Sequence, residues 1–551
     1  MNPALFDLLS TGEEAFLQQE IVFVLLLLLI SAVAILVRRI RIPYTVALVL
    51  VGLLLAVLPT DQWVGLPAEL AEDLTAGLRG EFTSELILAL LVPPLVFEAA
   101  LHLGWQKLRK ELLPVFLLAV PGVLVATLIV GELISLQLGI PLVAALAFGA
   151  LISATDPVAV VAFFRSLGVD KRLSVLMEGE SLLNDGVAVV LFSLAIAAAA
   201  GGAEALELGP ALLSFVRVAG GGIVVGLGTG FVVAYILERV DDHLIETTLT
   251  MALAFGSYVA AESLGVGGIL AVVSAGLLVG SVSIEKMSAT TKLTLENFWE
   301  LLAFVANSAV FLILGLQIKI GDLIDNAPLI LVAVVAILVS RAIVVYTVTA
   351  LSSRFSQPIP MRYRHIIFWG GLRGAVSLAL ALSLTGPFAQ QIQLMTFGVV
   401  VFTLLVQGLT IEPLIKRLQL SNIQRSADQQ HQLAGLLMLR SSKRELDRLR
   451  EEGLLAQPTW RVISQMTEDD IQHILHERPD LERLILTDTR LELLKAKRAA
   501  LAESLHRGLI SQQVYRQELQ DLDNRLMIWE TIEESFDEVV DRASPEALVS
   551  G

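Results

Sequence analysis

The 551-residue chain has no cysteine, which excludes a disulfide framework and any thiolate metal site. Charge is scarce: Asp, Glu, Lys and Arg make up 17% of it, against about 25% in soluble domains. Basic residues are outnumbered 39 to 55, and the formal net charge of -16 has the wrong sign for a nucleic-acid partner. No basic stretch precedes the first apolar block, so no cleavable signal peptide is expected. Hydrophobic residues fill the space, at 55% and a mean hydropathy of +0.73. They come in runs of about 20, the length that spans a hydrocarbon core of about 30 Å, rather than at the spacing of a soluble core. The pattern is that of an all-α polytopic membrane protein.

About thirteen apolar segments can be counted, at 21–37, 44–58, 86–101, 113–136, 141–164, 173–200, 212–237, 245–264, 266–279, 298–318, 329–351, 366–384 and 392–414. Basic residues favour the cytoplasmic side. The first twenty residues carry Asp7, Glu13, Glu14 and Glu20 but no Lys or Arg, and are expected outside as a short extracytoplasmic tail. Basic loops then alternate with acidic or nearly uncharged ones. They hold Arg38, Arg39 and Arg41; Lys107, Arg109 and Lys110; Lys171 and Arg172; Arg239; Lys286 and Lys292; and Arg354, Arg362 and Arg364. The alternation predicts an odd number of crossings, with the N-terminus out and the C-terminus in. The membrane domain is expected over 21–414, and 415–551 reads as a charged, helical cytoplasmic domain. That tail shows helical spacing but no nucleotide-binding loop and no EF-hand. It reads first as a solvated domain without chemistry, with a regulatory or oligomerising role as the alternative.

The stretch "MEGESLLNDG", 177–186, puts three carboxylates into the sixth segment. Leaving such groups unpaired in hydrocarbon costs several kcal/mol, so intramembrane acids are functional candidates. Residues four apart share a helix face. Ser181 and Asp185 therefore form one stripe, with a hydroxyl and a carboxylate that suit a hard monovalent cation. Glu180 and Asn184 form the next, suited to an ion pair and hydrogen bonds. Asp185 falls about 18 Å into its segment, near the midplane. Glu178 projects on nearly the same face about two turns earlier. It is placed either in the wall of a cytoplasmic funnel, where it would gather cations, or simply where a helix dipole welcomes an acid.

The fifth segment holds "ISATDPVAVVAFF", with Thr155, Asp156 and Pro157 in mid-segment. Pro157 frees the carbonyl of Ser153, and an Asp-Pro pair also signals a helix start. A helix that stops and restarts there aims backbone dipoles at a cavity, with Asp156 neutralising the positive end; a plain proline kink is the simpler alternative. The twelfth segment, "FWGGLRGAVSLALAL", is weakened by Gly370, Gly371 and Gly374 and carries Arg373. The two interruptions correspond if segments one to six repeat, inverted, as eight to thirteen, which is the pattern of a transporter site. Arg373 needs an anion, and Glu180 is the expected partner. Glu98 follows the Pro93-Pro94 break and is placed to reach the cavity. Glu262 and Arg341 are expected to pair, Asn307 to bond between helices, and Glu132 and Arg217 to snorkel. The glycines from Gly220 to Gly230 predict close helix packing, or less directly a dimer contact.

At this point the sequence resembles a family. "SATDPVAVVAFFRSLGVDKRLSVLMEGESLLNDGVAVVLF", 153–192, is similar to the core of monovalent cation:proton antiporters of the NhaP/NHE type (sodium/proton exchangers). "FWELLAFVANSAVFLILGLQI" and "WGGLRGAVSLALAL" resemble two further signatures of that family, in the expected order, so the likeness covers about 21–414. It implies crossed broken helices, a homodimer with a dimerisation domain and a six-helix core in each protomer, and an antiporter rather than an enzyme. It implies that Asp185 binds Na+ (or Li+ or K+) and H+ in competition, with Thr155, Ser181 and Asp156 lining or stabilising the site and Glu98 an acid near the ion. Asn184 matches a position that holds the crossed helices, and Glu180 and Arg373 match a structural ion pair. The expected work is alternating-access exchange in pH homeostasis, in the plasma (inner) membrane, with no cofactor. Asn184 before Asp185, where electrogenic relatives commonly carry two acids, suggests electroneutral exchange. A cation channel using the same acids stays open at this stage. An intramembrane aspartyl protease built on Asp156 and Asp185 is disfavoured, because the sequence lacks a GxGD motif.

Overall fold

Proline and glycine decide where the apolar segments break. A computed structural model describes residues 21–37 without 22, 43–57, 87–201, and 208–421 without 241, 283–286 and 288; beyond these it describes most of 435–450, then 454–477 and a few isolated positions. The N-terminal tail, Arg38, Arg39, Arg41, the acidic loop at 61–81, Lys286 and nearly all of the tail after 477 lie outside the described residues. The chain divides into two units, 1–422 and 423–551.

In the first unit the helices longer than two turns are α1 (Phe23–Val37), α2 (Tyr44–Val57), α3 (Val92–Leu103), α4 (Leu112–Ala119), α5 (Pro121–Leu138), α6 (Leu142–Ser153), α7 (Val158–Leu167), α8 (Lys171–Gly201), α9 (Leu208–Leu237), α10 (His243–Ser263), α11 (Gly268–Val282), α12 (Ala289–Gln317), α13 (Ala327–Ser352), α14 (Met361–Trp369), α15 (Ala375–Leu382), α16 (Ala389–Phe402) and α17 (Gly408–Arg417). Among the described residues, seven helical stretches are long and apolar enough to cross a membrane, and shorter apolar helices lie between them. No strand occurs among the described residues; an isolated antiparallel bridge joins Asp156 and Leu372. The fifth and twelfth apolar segments are each two half-helices, α6 with α7 and α14 with α15. Between α16 and α17 the chain makes a π turn, Thr403–Gln407.

Two helix starts are fixed by side chains. Asp242, before α10, accepts from the backbone N–H groups of Leu244 (2.9 Å) and Ile245 (3.2 Å), a side-chain cap that satisfies two otherwise free donors. Those two bonds hold its exposed carboxyl below the usual aspartate range. The start of α8 is fixed to two other chain segments. Arg172 donates to both carboxylate oxygens of buried Glu111 (2.6 and 3.2 Å) and to the carbonyls of Gln357 and Pro358.

Packing follows small residues. On α9, Gly222 and Gly226 lie so close to α11 that a Cβ would come within 2.3 Å of the Gly267 carbonyl oxygen and 2.1 Å of that of Ala271. These two glycines of the run therefore serve a helix contact inside the protomer. One apolar core runs through α3 to α8, α11, α13 and α16, and a second joins α1 and α2 to α12 and α15. The second unit, by itself, packs Leu436 against Ile471 and Leu475 of α18 (Gln457–Glu477). There Trp460 donates to Asp447 (2.9 Å) under the Arg450 guanidinium, and Lys443 pairs with Glu468.

Candidate ion site at two broken helices

The two interruptions meet. Asp156 N–H donates to the Leu372 carbonyl (2.8 Å), which holds the break between α6 and α7 against the break between α14 and α15. Gly374 allows this approach: a Cβ there would lie 2.4 Å from the Asp156 Cβ. A broken helix leaves carbonyls free at one new end and N–H groups free at the other, and both sets are used here. At the C-terminal end of α6, Ser377 donates to the Leu151 carbonyl (2.6 Å). Arg373 Nη1 donates to the carbonyls of Ser153 (3.2 Å) and Ala154 (3.1 Å). The Ser153 carbonyl is the one that Pro157 leaves unserved. At the N-terminal end of α7, Asp156 Oδ1 accepts from Val158 N–H (2.9 Å). A cation thus faces the negative end of one helix dipole and an acid the positive end of the other.

Helix α8 runs past this junction and clamps Thr155. Asn184 Nδ2 donates to Thr155 Oγ1 (2.7 Å), its Oδ1 accepts from Thr155 N–H (3.3 Å), and Ser181 Oγ donates to the Thr155 carbonyl. Asn184 uses its amide as donor and acceptor at once, which a carboxylate cannot do. Asp185, one residue on, is within electrostatic reach of Asp156 and Arg373. None of the described residues hydrogen-bonds its carboxylate. Thr155, Ser181, Asn184, Glu180 and Arg373 are all buried.

Two expected ion pairs are wrong. Glu180 is held by Arg341, whose Nη1 and Nη2 donate to its two carboxylate oxygens, the second at 3.0 Å. Arg341 Nη2 also donates to the Ile367 carbonyl (3.0 Å) near the end of α14. Arg373 lies within electrostatic reach of Glu180 but spends Nη1 on carbonyls. The geometric reason is that Arg341 can reach the carboxylate with a planar two-pronged fork while Arg373 closes the end of α6. Glu262 is the other correction. It accepts from Gly268 N–H (3.3 Å), across the turn into α11, and leaves Arg341 to Glu180.

The structure brings Asp185, Asp156, Thr155, Ser181, Asn184, Glu180 and Arg373 into one neighbourhood. Glu98 stands apart from that hydrogen-bond network. Its carboxylate meets His102 Nδ1 at 3.2 Å on its own helix, and its charged neighbours are His102, Arg165 and Glu300. Glu178 shares this second group, within reach of Arg165, Glu98, Lys107 and His102. Arg341 belongs to the site, although the sequence pattern pairs it with Glu262. Depth is the signal that identifies it: it lies about 21 Å into α13, level with a midplane site, whereas Glu262 is next to the last residue of α10.

The sodium/hydrogen exchanger transmembrane family model matches residues 24–417, which takes in every element of this junction. The chain belongs to that family. Among its relatives, the Na(+)/H(+) antiporter ApNhaP of Aphanothece halophytica is 43% identical over 384 residues, covering 69% of this chain and 70% of that protein. The Na(+)/H(+) antiporter NhaS2 of Synechocystis is 32% identical over 520 residues, 92% of each chain. In fold, the chain is similar to the sodium proton antiporter MjNhaP1 from Methanocaldococcus jannaschii, with a TM-score of 0.58, 22% identity, and coverage of 72% of this chain and 97% of that one. This membership makes the chain an integral membrane transporter of the exchanger family and not an enzyme.

Proposed function

We propose that this exchanger moves Na+, or a related alkali cation, against H+ by alternating access, one for one, with Asp185 as the group that carries either ion. The observation behind this reading is the state of the Asp185 carboxylate. It lies where two helices break, and its polar neighbours are tied to one another while it is not. Oxygens of Thr155 and Ser181 stand on the same junction and would complete a hard-cation shell with the carboxylate. Asp156 and Arg373 hold the two helix ends in place, and Asn184 fixes Thr155. Glu180 anchors the sixth segment to α13. A carboxylate that loses its proton when the cation arrives, and regains one when it leaves, exchanges one charge for one. The amide at Asn184 supports that stoichiometry, since it contributes no second titrating acid.

The same reading gives the topology expected from the loop charges: N-terminus out, C-terminus cytoplasmic, two inverted six-helix repeats, and a homodimer in the plasma or inner membrane. The membrane domain would end near 414, with a cytoplasmic helical domain after it. Glu98 would sit with Glu178 on the cytoplasmic approach. A cation channel using these acids is the second reading, and the crossed broken helices weigh against it. Proteoliposome flux separates the two. In an antiporter, each active alkali cation collapses an imposed pH gradient, and cation uptake stops when the proton counter-gradient is removed. Cation flux that runs equally without protons would make it a channel.

A further inference from the structure

Three buried polar atoms near the junction have no hydrogen-bond partner among the described residues: Nε of Arg341, Nε of Arg373 and Oε1 of Gln407. The three side chains line one cavity, with Gly371 and Thr403 beside them. Arg373 and Gln407 are 4% and 2% exposed, so neither atom reaches bulk solvent. An unsatisfied buried donor or acceptor costs about 1–3 kcal/mol, and three on side chains that line one small space call for a common partner. The donor pattern selects it. Two guanidinium N–H groups need an acceptor and repel a cation; the Gln407 carbonyl needs a donor and repels an anion. A water molecule accepts twice and donates once. The space open to a water centre there is about 10 Å³, close to what one buried water requires, and buried waters typically make about three hydrogen bonds.

Gln407 points there because it closes the π turn Thr403–Gln407. A π turn inserts an extra residue and rotates the helix beyond it; such turns recur at functional sites. Its other end also serves Arg373, for Thr403 Oγ1 accepts from the Arg373 N–H at 3.3 Å.

We infer that Gln407 is a positioning residue for cation exchange, holding the Arg373 guanidinium through a single bound water shared with Arg341. This rests on Asp185 as the exchange site. Arg373 has an unbonded carboxylate, Asp185, within electrostatic reach. With Nε anchored, the guanidinium stays on the carbonyls of Ser153 and Ala154. Released, it is free to swing onto Asp185 and compete with the cation.

The test uses the full chain. Gln407→Met keeps the length and removes the acceptor. In proteoliposomes it should raise the apparent KM for Na+ about three- to tenfold with the maximal rate kept, and its melting temperature in detergent should stay near that of the parent. A merely structural role would lower the melting temperature and the maximal rate together at constant KM, and that result, or an unchanged KM, overturns the proposal. A cryo-EM map of the unaltered protein in nanodiscs, at a resolution that shows ordered water elsewhere in the core, should hold a density between the three atoms. An empty space there overturns the proposal too, and decides it if Gln407→Met does not fold. The map is independent of Asp185: exchange surviving in Asp185→Asn would remove the proposed site without touching the water.

Discussion

Arg341, on α13, holds the Glu180 carboxylate of α8 with both prongs of its guanidinium. The pair ties the ion-site helix to a helix outside the junction, and Arg341 reaches on to the Ile367 carbonyl in α14. The Arg341 side chain, 11% exposed, thus fixes α8 and the start of the second break relative to each other. Removing either partner strands a charge, which costs about 3–5 kcal/mol.

The first expectation comes from that pair. Arg341→Ala and Glu180→Ala should each lower folded yield and melting temperature, and the double variant should recover a large part of the loss. Combining Glu180→Ala with Arg373→Ala should recover less, because those two are not hydrogen-bonded. Double-mutant cycles on melting temperature measure the difference. Equal coupling in both cycles would contradict the assignment.

Gly374 carries the contact between the two breaks. Gly374→Ala would put a methyl group 2.4 Å from the Asp156 Cβ. The Asp156 backbone is pinned to Leu372, so the overlap cannot relax by a rotamer change alone. Overpacking of this kind costs about 1–3 kcal/mol. The variant should insert and purify with a reduced melting temperature and a maximal exchange rate down at least several-fold. Exchange at the parent rate would show that the junction has more room than its geometry gives it.

Glu178 tests the proposed sidedness. It belongs with Glu98, Lys107 and Arg165 rather than with the Asp185 network. A cation-gathering role predicts that Glu178→Gln weakens apparent cation affinity from the cytoplasmic face, more at low ionic strength, with maximal exchange kept. Flux measured from each side at two salt concentrations checks it. An equal loss from both sides would leave Glu178 only a role in its helix.

Asp242 gives a pH dependence outside the membrane segments. Its two backbone hydrogen bonds lower the folded-state pKa, so the cap contributes stability fully above the unfolded aspartate value of about 4. That contribution is lost as the pH falls through the lowered folded value. Hydrogen-exchange protection in the first turn of α10, corrected for intrinsic rates, should hold from pH 7 to 5 and fall below about 4. Asp242→Ala should show the reduced protection at every pH.

Much of the junction is legible in the sequence, because its signals are local. Pro157 and the glycines at 370, 371 and 374 mark the breaks by backbone chemistry. The spacing of Ser181, Asn184 and Asp185 puts them on adjoining faces of one helix. Pairings across helices are harder to read. Periodicity says which face Glu180 occupies but not which of two arginines meets that face: depth separates Arg341 from Glu262, whereas Arg373 is kept from Glu180 by the Ser153 and Ala154 carbonyls, a contact that exists only once the helices have packed. The π turn at Thr403–Gln407 leaves no mark at all: "TLLVQG" reads as ordinary helix, and the place of Gln407 is visible only in the folded chain.

The most direct measurement is Na+-driven proton movement by Asp185→Asn in proteoliposomes. Asn fills nearly the same space but can exchange no proton for a cation. The account predicts a folded, membrane-inserted protein with a melting profile close to the parent, in which Na+ pulses no longer collapse an imposed pH gradient. Substantial Na+-dependent proton flux in that variant would contradict the assignment of Asp185 as the exchanging group.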